Sequence, residues 1–136
     1  MGKSIYENER VYICSPLNAP TQEEIRENME RASEYVKVVT DAWKCRAIAP
    51  HSFLPEYLDD NNPEEREIGM NFCFSVVKIC KALVVCGNRL SLGMEQELIL
   101  ARKNHIPIYR LIETVTDGEK QTKIIYVEEE RKRDHS

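Results

Sequence analysis

The sequence predicts an α/β protein, a three-layer sandwich in which a parallel sheet of about five strands carries helices on both faces. Three observations predict it. Short β-branched runs alternate with long stretches of helical periodicity, the pattern of repeated strand–helix–strand units. The runs are nearly all apolar, as in Ala82-Leu83-Val84-Val85-Cys86, which suits strands buried on both faces. The helical stretches open at recognisable caps, Thr21 with Glu24 and Asn62 with Pro63 and Glu65.

Taken in order, Arg10-Val11-Tyr12-Ile13-Cys14 is the first strand, stopped by Ser15-Pro16. Ile25, Met29, Ala32, Val36 and Val39 then recur at helical spacing, so the first helix runs to about Trp43. Arg46–Ala49 is the second strand, ended by Pro50. The stretch 50–62 has no periodicity, and a loop of that length in a compact domain is usually a lid or a binding loop. The second helix follows, with Ile68, Phe72, Val76 and Ile79 as its expected buried stripe. Ala82–Cys86 is the third strand, and Ser91 opens a third helix that buries Met94, Leu98 and Ala101. Ile106–Leu111 is the fourth strand, Asp117-Gly118 a turn, and Lys123–Val127 the fifth strand. The whole chain, 1–136, reads as one domain, with 128–136 a charged tail expected to fray.

Composition removes several function classes. A net charge of -4 argues against a nucleic-acid surface, which needs a concentrated basic face. No apolar run is long enough to span a membrane, and Met1-Gly2-Lys3-Ser4 leads into charged residues rather than a signal sequence, so a cytoplasmic protein is expected. The five cysteines are odd in number, with no C-x-x-C pair, and read as reduced core residues. His51, His105 and His135 have no metal-ligand spacing, so neither a metal nor a cofactor is expected.

The stretch Ser91-Leu92-Gly93 to Glu97 carries the chemistry. A strand, a short glycine-containing turn and a helix N-terminus make an anion site, because the first amides of a helix are unpaired and its dipole favours negative charge. Ser91 adds a hydroxyl, Gly93 admits a ligand to the backbone, and Glu97 lies one turn further in. Standing alone, this pattern is more often an N-cap and a solvated glutamate. In a sheet of order 2-1-3-4-5, however, a flavodoxin-like or Rossmann-like arrangement, ligands sit beyond the carboxyl ends of the strands at the switch between the first and the third. The loops 15–20, 51–62 and 87–93 converge there. They bring Ser15, His51, Asp60, Arg66, Ser91, Gly93 and Glu97 towards one crevice.

These residues resemble the nucleoside 2-deoxyribosyltransferase superfamily. Val11-Tyr12-Ile13-Cys14-Ser15 looks like its first strand, and Ile48-Ala49-Pro50-His51 like the end of its second. Ser91-Leu92-Gly93 with Glu97-Leu98 and Ala101 is similar to the S-L-G-x-x-x-E-L-x-x-A of the 2'-deoxynucleoside 5'-phosphate N-hydrolases within it. The superfamily resemblance spans roughly Val11 to Leu111, and the chain as a whole resembles a bacterial and phage offshoot sharing V-Y-I-x-S-P, A-P-H, D-D-x-x-P-x-E-R and S-x-G-M before E-x-x-x-A. The resemblance implies Glu97 as nucleophile, Tyr12 as active-site tyrosine, Ser15 as the start of the ligand loop and Ser91 as a 5'-phosphate ligand. It implies a small nucleotide or nucleoside as the partner and a homodimer or higher homo-oligomer as the assembly. The superfamily's catalytic aspartate falls on Cys73 and a second aspartate on Lys81. A replacement acid is therefore expected from Asp60, Asp59, Glu64 or His51, and Arg66 is a candidate phosphate partner. The expected activity is cleavage of an N-glycosidic bond by hydrolysis or transfer; the alternative is a nucleotide-binding module without turnover.

Overall fold

The computed structural model describes residues 4–127; the expected charged tail, 128–136, lies outside them. The elements are β1 (Arg10–Cys14), α1 (Gln22–Trp43), β2 (Arg46–Ile48), α2 (Pro63–Ile79), β3 (Ala82–Val85), α3 (Leu92–Lys103), β4 (Ile108–Thr116) and β5 (Glu119–Tyr126). The strand order is β2-β1-β3-β4-β5, as expected. Two short 3-10 turns, Pro50–Ser52 and Leu54–Glu56, occupy the stretch expected to be irregular.

Alternation along the strands sorts the core into two layers. Val11 and Ile13 of β1 join Ala82, Val84 and the α1 residues Ala32, Tyr35 and Val39 on one face. Tyr12 and Cys14 join Leu83, Val85, Ile108 and the buried sides of α2 and α3 on the other. Because successive side chains of a strand point to opposite faces, Tyr12 is directed at α3.

The sheet is mixed, which corrects the expectation of an all-parallel one. β1, β2, β3 and β4 are parallel, while β5 pairs antiparallel with β4 from Tyr109↔Tyr126 to Thr116↔Glu119. The reason is local. Asp117 and Gly118 both adopt positive φ, 53° and 80°, the pair a tight type I′ hairpin requires. A parallel return needs a crossover of a dozen residues or more, and the two-residue turn leaves no room for one. Both strands consequently run further out than expected.

The stripe expected on α2 also needs correction. Ile68, Phe72 and Ile79 are exposed, and of the four expected residues only Val76 is buried. The buried stripe is Cys73, Val76, Val77 and Cys80, spaced i, i+3, i+4, i+7. Buried cysteines act as small hydrophobes, and they rotate the helix away from the face that its larger side chains indicate. All five cysteines are buried and unbridged. Among the described residues, no helix is long and apolar enough to cross a membrane.

The close approach of two loops at the switch point depends on one glycine. Gly87, two residues past the end of β3, has φ 96°, and a Cβ there would lie 2.9 Å from Pro16 Cδ. Gly87→Ala is expected to cost about 1–3 kcal/mol in urea denaturation, from the left-handed backbone and the clash together. An unchanged midpoint would mean that the two loops are not held against each other.

Candidate functional site

A cleft of about 330 Å3 opens beyond the carboxyl ends of β1 and β3. Leu54, Leu58, Met70 and Phe74 form apolar walls, and His51, Asp60, Arg66, Cys73, Arg89, Ser91, Gly93 and Glu97 supply its polar and small lining residues. The fold thus gathers most of the expected residues in one place.

Glu97 is 3% exposed, on the inner side of α3. The Tyr12 hydroxyl donates to its Oε2 at 2.8 Å, while Oε1 has no hydrogen-bond partner among the described residues. The Cys14 thiol is close enough to favour the charge on Glu97, yet its hydrogen bond goes to the Met94 carbonyl at 3.9 Å. Burial raises the Glu97 pKa above the usual carboxylate value, with His51, Tyr12 and Cys14 pulling the other way. Tyr12 itself is 1% exposed and is not among the cleft-lining residues. Its contact with the site is the hydrogen bond to Glu97.

The imidazole of His51 donates from Nδ1 to the Ser15 carbonyl at 2.8 Å. A carbonyl only accepts, so Nδ1 carries the proton, and in the neutral ring Nε2 keeps a free lone pair. Ser15 lies beneath the cleft surface. It is 1% exposed with its Oγ unpartnered among the described residues, and it does not line the cleft. Its carbonyl, rather than its hydroxyl, contacts a cleft-lining residue, His51.

Ser91 is the N-cap of α3, accepting the Met94 amide on Oγ at 3.2 Å. Its own amide donates to the Met94 sulfur at 3.5 Å, closing the cap. The Leu92 and Gly93 amides fall in the first turn, where a helix offers no carbonyl partner. Gly93 and Glu97 are four residues apart and share the cleft-facing side. A Cβ at Gly93 would meet nothing within 4 Å. Gly93→Ala is accordingly expected to leave the melting temperature unchanged or slightly raised, while weakening any anion seated on those amides. Equal affinity in a calorimetric titration would exclude the helix terminus as the anion site.

Asp60 and Arg66 lie in the cleft but are joined to each other at 3.1 Å. Asp59 and Glu64 are exposed and do not line it. Lys81 sits just before β3, at the amino end of the sheet, where its amide bonds the Arg10 carbonyl; it does not line the cleft. Arg89 was missed. It lines the cleft and donates to the Asn18 carbonyl at 2.8 Å. Its place in the loop after the third strand was the signal available.

The sequence shows no metal-ligand spacing, yet the fold brings donor atoms of His51, Cys73 and Glu97 within 4.8 Å of one another. Burial raises the Cys73 thiol to about 12, Glu97 adding to the rise and Tyr12 opposing it.

The fold defines an α/β protein with a cleft at the switch point of its sheet. A 2-deoxyribosyltransferase from the psychrotolerant bacterium Bacillus psychrosaccharolyticus has a similar fold, at 16% identity and a TM-score of 0.57, over 74% of this chain and 70% of that one. No curated protein matches the sequence. Residues 9–111 match the domain of unknown function DUF7768, and the chain belongs to that family.

Proposed function

We propose that this protein binds a nucleotide or nucleoside in the cleft and cleaves its N-glycosidic bond, with Glu97 as the nucleophile. The carrying observation is the state of that carboxylate. It is 3% exposed, one oxygen is fixed by Tyr12 at 2.8 Å, and the other has no partner among the described residues. Oε1 attacks C1' as the bond to the base breaks and its electron pair leaves with the base. A neighbouring acid protonates the base: His51 in its imidazolium form, or Asp60 if it leaves Arg66. Water or a second base then displaces Glu97 from C1', giving hydrolysis or transfer. Ser91, the α3 amides, Arg89 and Arg66 suit a 5'-phosphate, and the apolar walls suit the base. The fold likeness to a 2-deoxyribosyltransferase supports the reading.

Incubating the protein with each deoxynucleoside and deoxynucleoside monophosphate, followed by chromatography for free base, tests it. Base release from at least one is expected, and release from none sinks the catalytic reading. One observation favours a second reading, a binding module without turnover: Cys73 stands where the resemblance implies a carboxylate. Nucleotides that raise the melting temperature and are recovered intact would establish that reading instead.

The assembly we propose is a homodimer. Ile68, Phe72 and Ile79 share one exposed face of α2 and supply apolar surface for a second copy. Sedimentation should give a dimer, and Phe72→Glu a monomer; a monomeric parent protein refutes the assembly.

A further inference from the structure

We propose that His51, Cys73 and Glu97 form a binding site for a zinc-class divalent cation at the floor of the cleft. Three elements bring the donors together: the turn after β2, the middle of α2 and the first turns of α3. Their ligand atoms already lie within 4.8 Å of one another. Tetrahedral zinc with bonds of about 2.0–2.3 Å needs donor separations of roughly 3.3–3.8 Å, so the donors need draw in by about 1–1.5 Å at most. Imidazole, thiolate and carboxylate together suit zinc and the later transition metals, whereas magnesium and calcium prefer oxygen donors.

Two further features point to a ligand. Glu97 is 3% exposed and its Oε1 is unpartnered among the described residues, a desolvated acceptor that a cation would satisfy. The outer contacts are also those of a metal centre: His51 Nδ1 donates to the Ser15 carbonyl at 2.8 Å, leaving Nε2 as the ligand nitrogen, and Tyr12 orients the carboxylate at 2.8 Å. On binding, the Cys73 thiol loses its proton to solvent and the sulfur bonds the ion. Three protein donors leave a fourth position for water or a ligand group, facing the cleft.

The site does not rest on the glycosidase reading. Where both hold, the ion occupies the oxygen that would attack C1', and zinc inhibits base release. Protein freed of metal with a chelator is titrated with cobalt(II) and with zinc alone. One equivalent of cobalt should bind, giving d–d bands and a thiolate charge-transfer band that Cys73→Ser abolishes. His51→Gln should weaken zinc by more than the roughly 10–100-fold that an outer-shell contact is worth. Cys45→Ser, on the opposite face of the sheet, should change neither. Absence of binding, a charge-transfer band that survives Cys73→Ser, or equal affinity in all variants overturns the site. If Cys73→Ser does not fold, His51→Gln decides. Base release is measured on the same samples: zinc binding without base release refutes only the glycosidase, and base release without zinc binding refutes only the metal site.

Discussion

Glu97→Gln is expected to abolish base release from every substrate that the parent protein cleaves, a loss on the order of 10^4-fold or more in kcat. Glutamine has the shape of glutamate, so its amide oxygen still accepts from Tyr12 and the helix keeps its packing. What it lacks is a carboxylate oxygen able to form and release a bond to C1'. Nucleotide affinity should change little, because the phosphate contacts assigned to Ser91, Arg89 and the α3 amides are untouched. Tyr12→Phe provides the contrast. It removes only the 2.8 Å hydrogen bond that orients the carboxylate, and a hydrogen bond to a charged group is worth about 1.5–3 kcal/mol, roughly a 10–100-fold loss. Chromatographic assay of both variants beside the parent separates the roles. If Glu97→Gln retained more than a small fraction of the activity, Glu97 would not be the nucleophile, whatever Tyr12→Phe did.

The layers and strand order were legible because the apolar runs and helix caps are strong local signals. Ser91 illustrates the limit of such signals. Both of its readings come from the same residue, since a cap and a ligand hydroxyl use one oxygen and are told apart only by where the turn sits in the sheet. The direction of β5 was legible too, in Asp117-Gly118, but the turn has to be read as forbidding a parallel crossover. The α2 stripe misled because cysteine carries a weak hydrophobic signal. Three large apolar residues outweighed Cys73 and Cys80 on paper, although the small ones pack against the sheet. The grouping of His51, Cys73 and Glu97 could not be read from spacing at all. The donors are 22 and 24 residues apart in the chain, and the β2–β1–β3 pairing with the α2–α3 contact brings them together. Ser15 shows a subtler gap: a sequence displays side chains, while the group that meets His51 is a backbone carbonyl.

Cys73→Asp, which installs the carboxylate that the resemblance places at this position, should destabilise the protein by about 3–4 kcal/mol in metal-free buffer. Cys73→Ala is expected to cost only about 1–2 kcal/mol, the loss of a small buried side chain. The difference is electrostatic. Cys73 is 4% exposed, and its sulfur is within 4.8 Å of a Glu97 oxygen. Two like charges at that distance repel by about 3 kcal/mol at an effective dielectric constant near 20, unless one carboxyl remains protonated. A neutral thiol avoids this conflict, which makes a buried and half-satisfied Glu97 tolerable here. A double-mutant cycle isolates the effect, because in the Glu97→Gln background the aspartate has no like charge to oppose. There its cost should fall by about 2–3 kcal/mol, far outside the few tenths by which independent sites fail to add. His51 is the neighbour that favours the charged form of Glu97, so His51→Gln should deepen the loss caused by Cys73→Asp. Urea midpoints for the parent, the single variants and the double variants measure all of these terms. Additive costs would mean that the two positions do not share a desolvated space, and the cleft floor would then be far wetter than its burial implies.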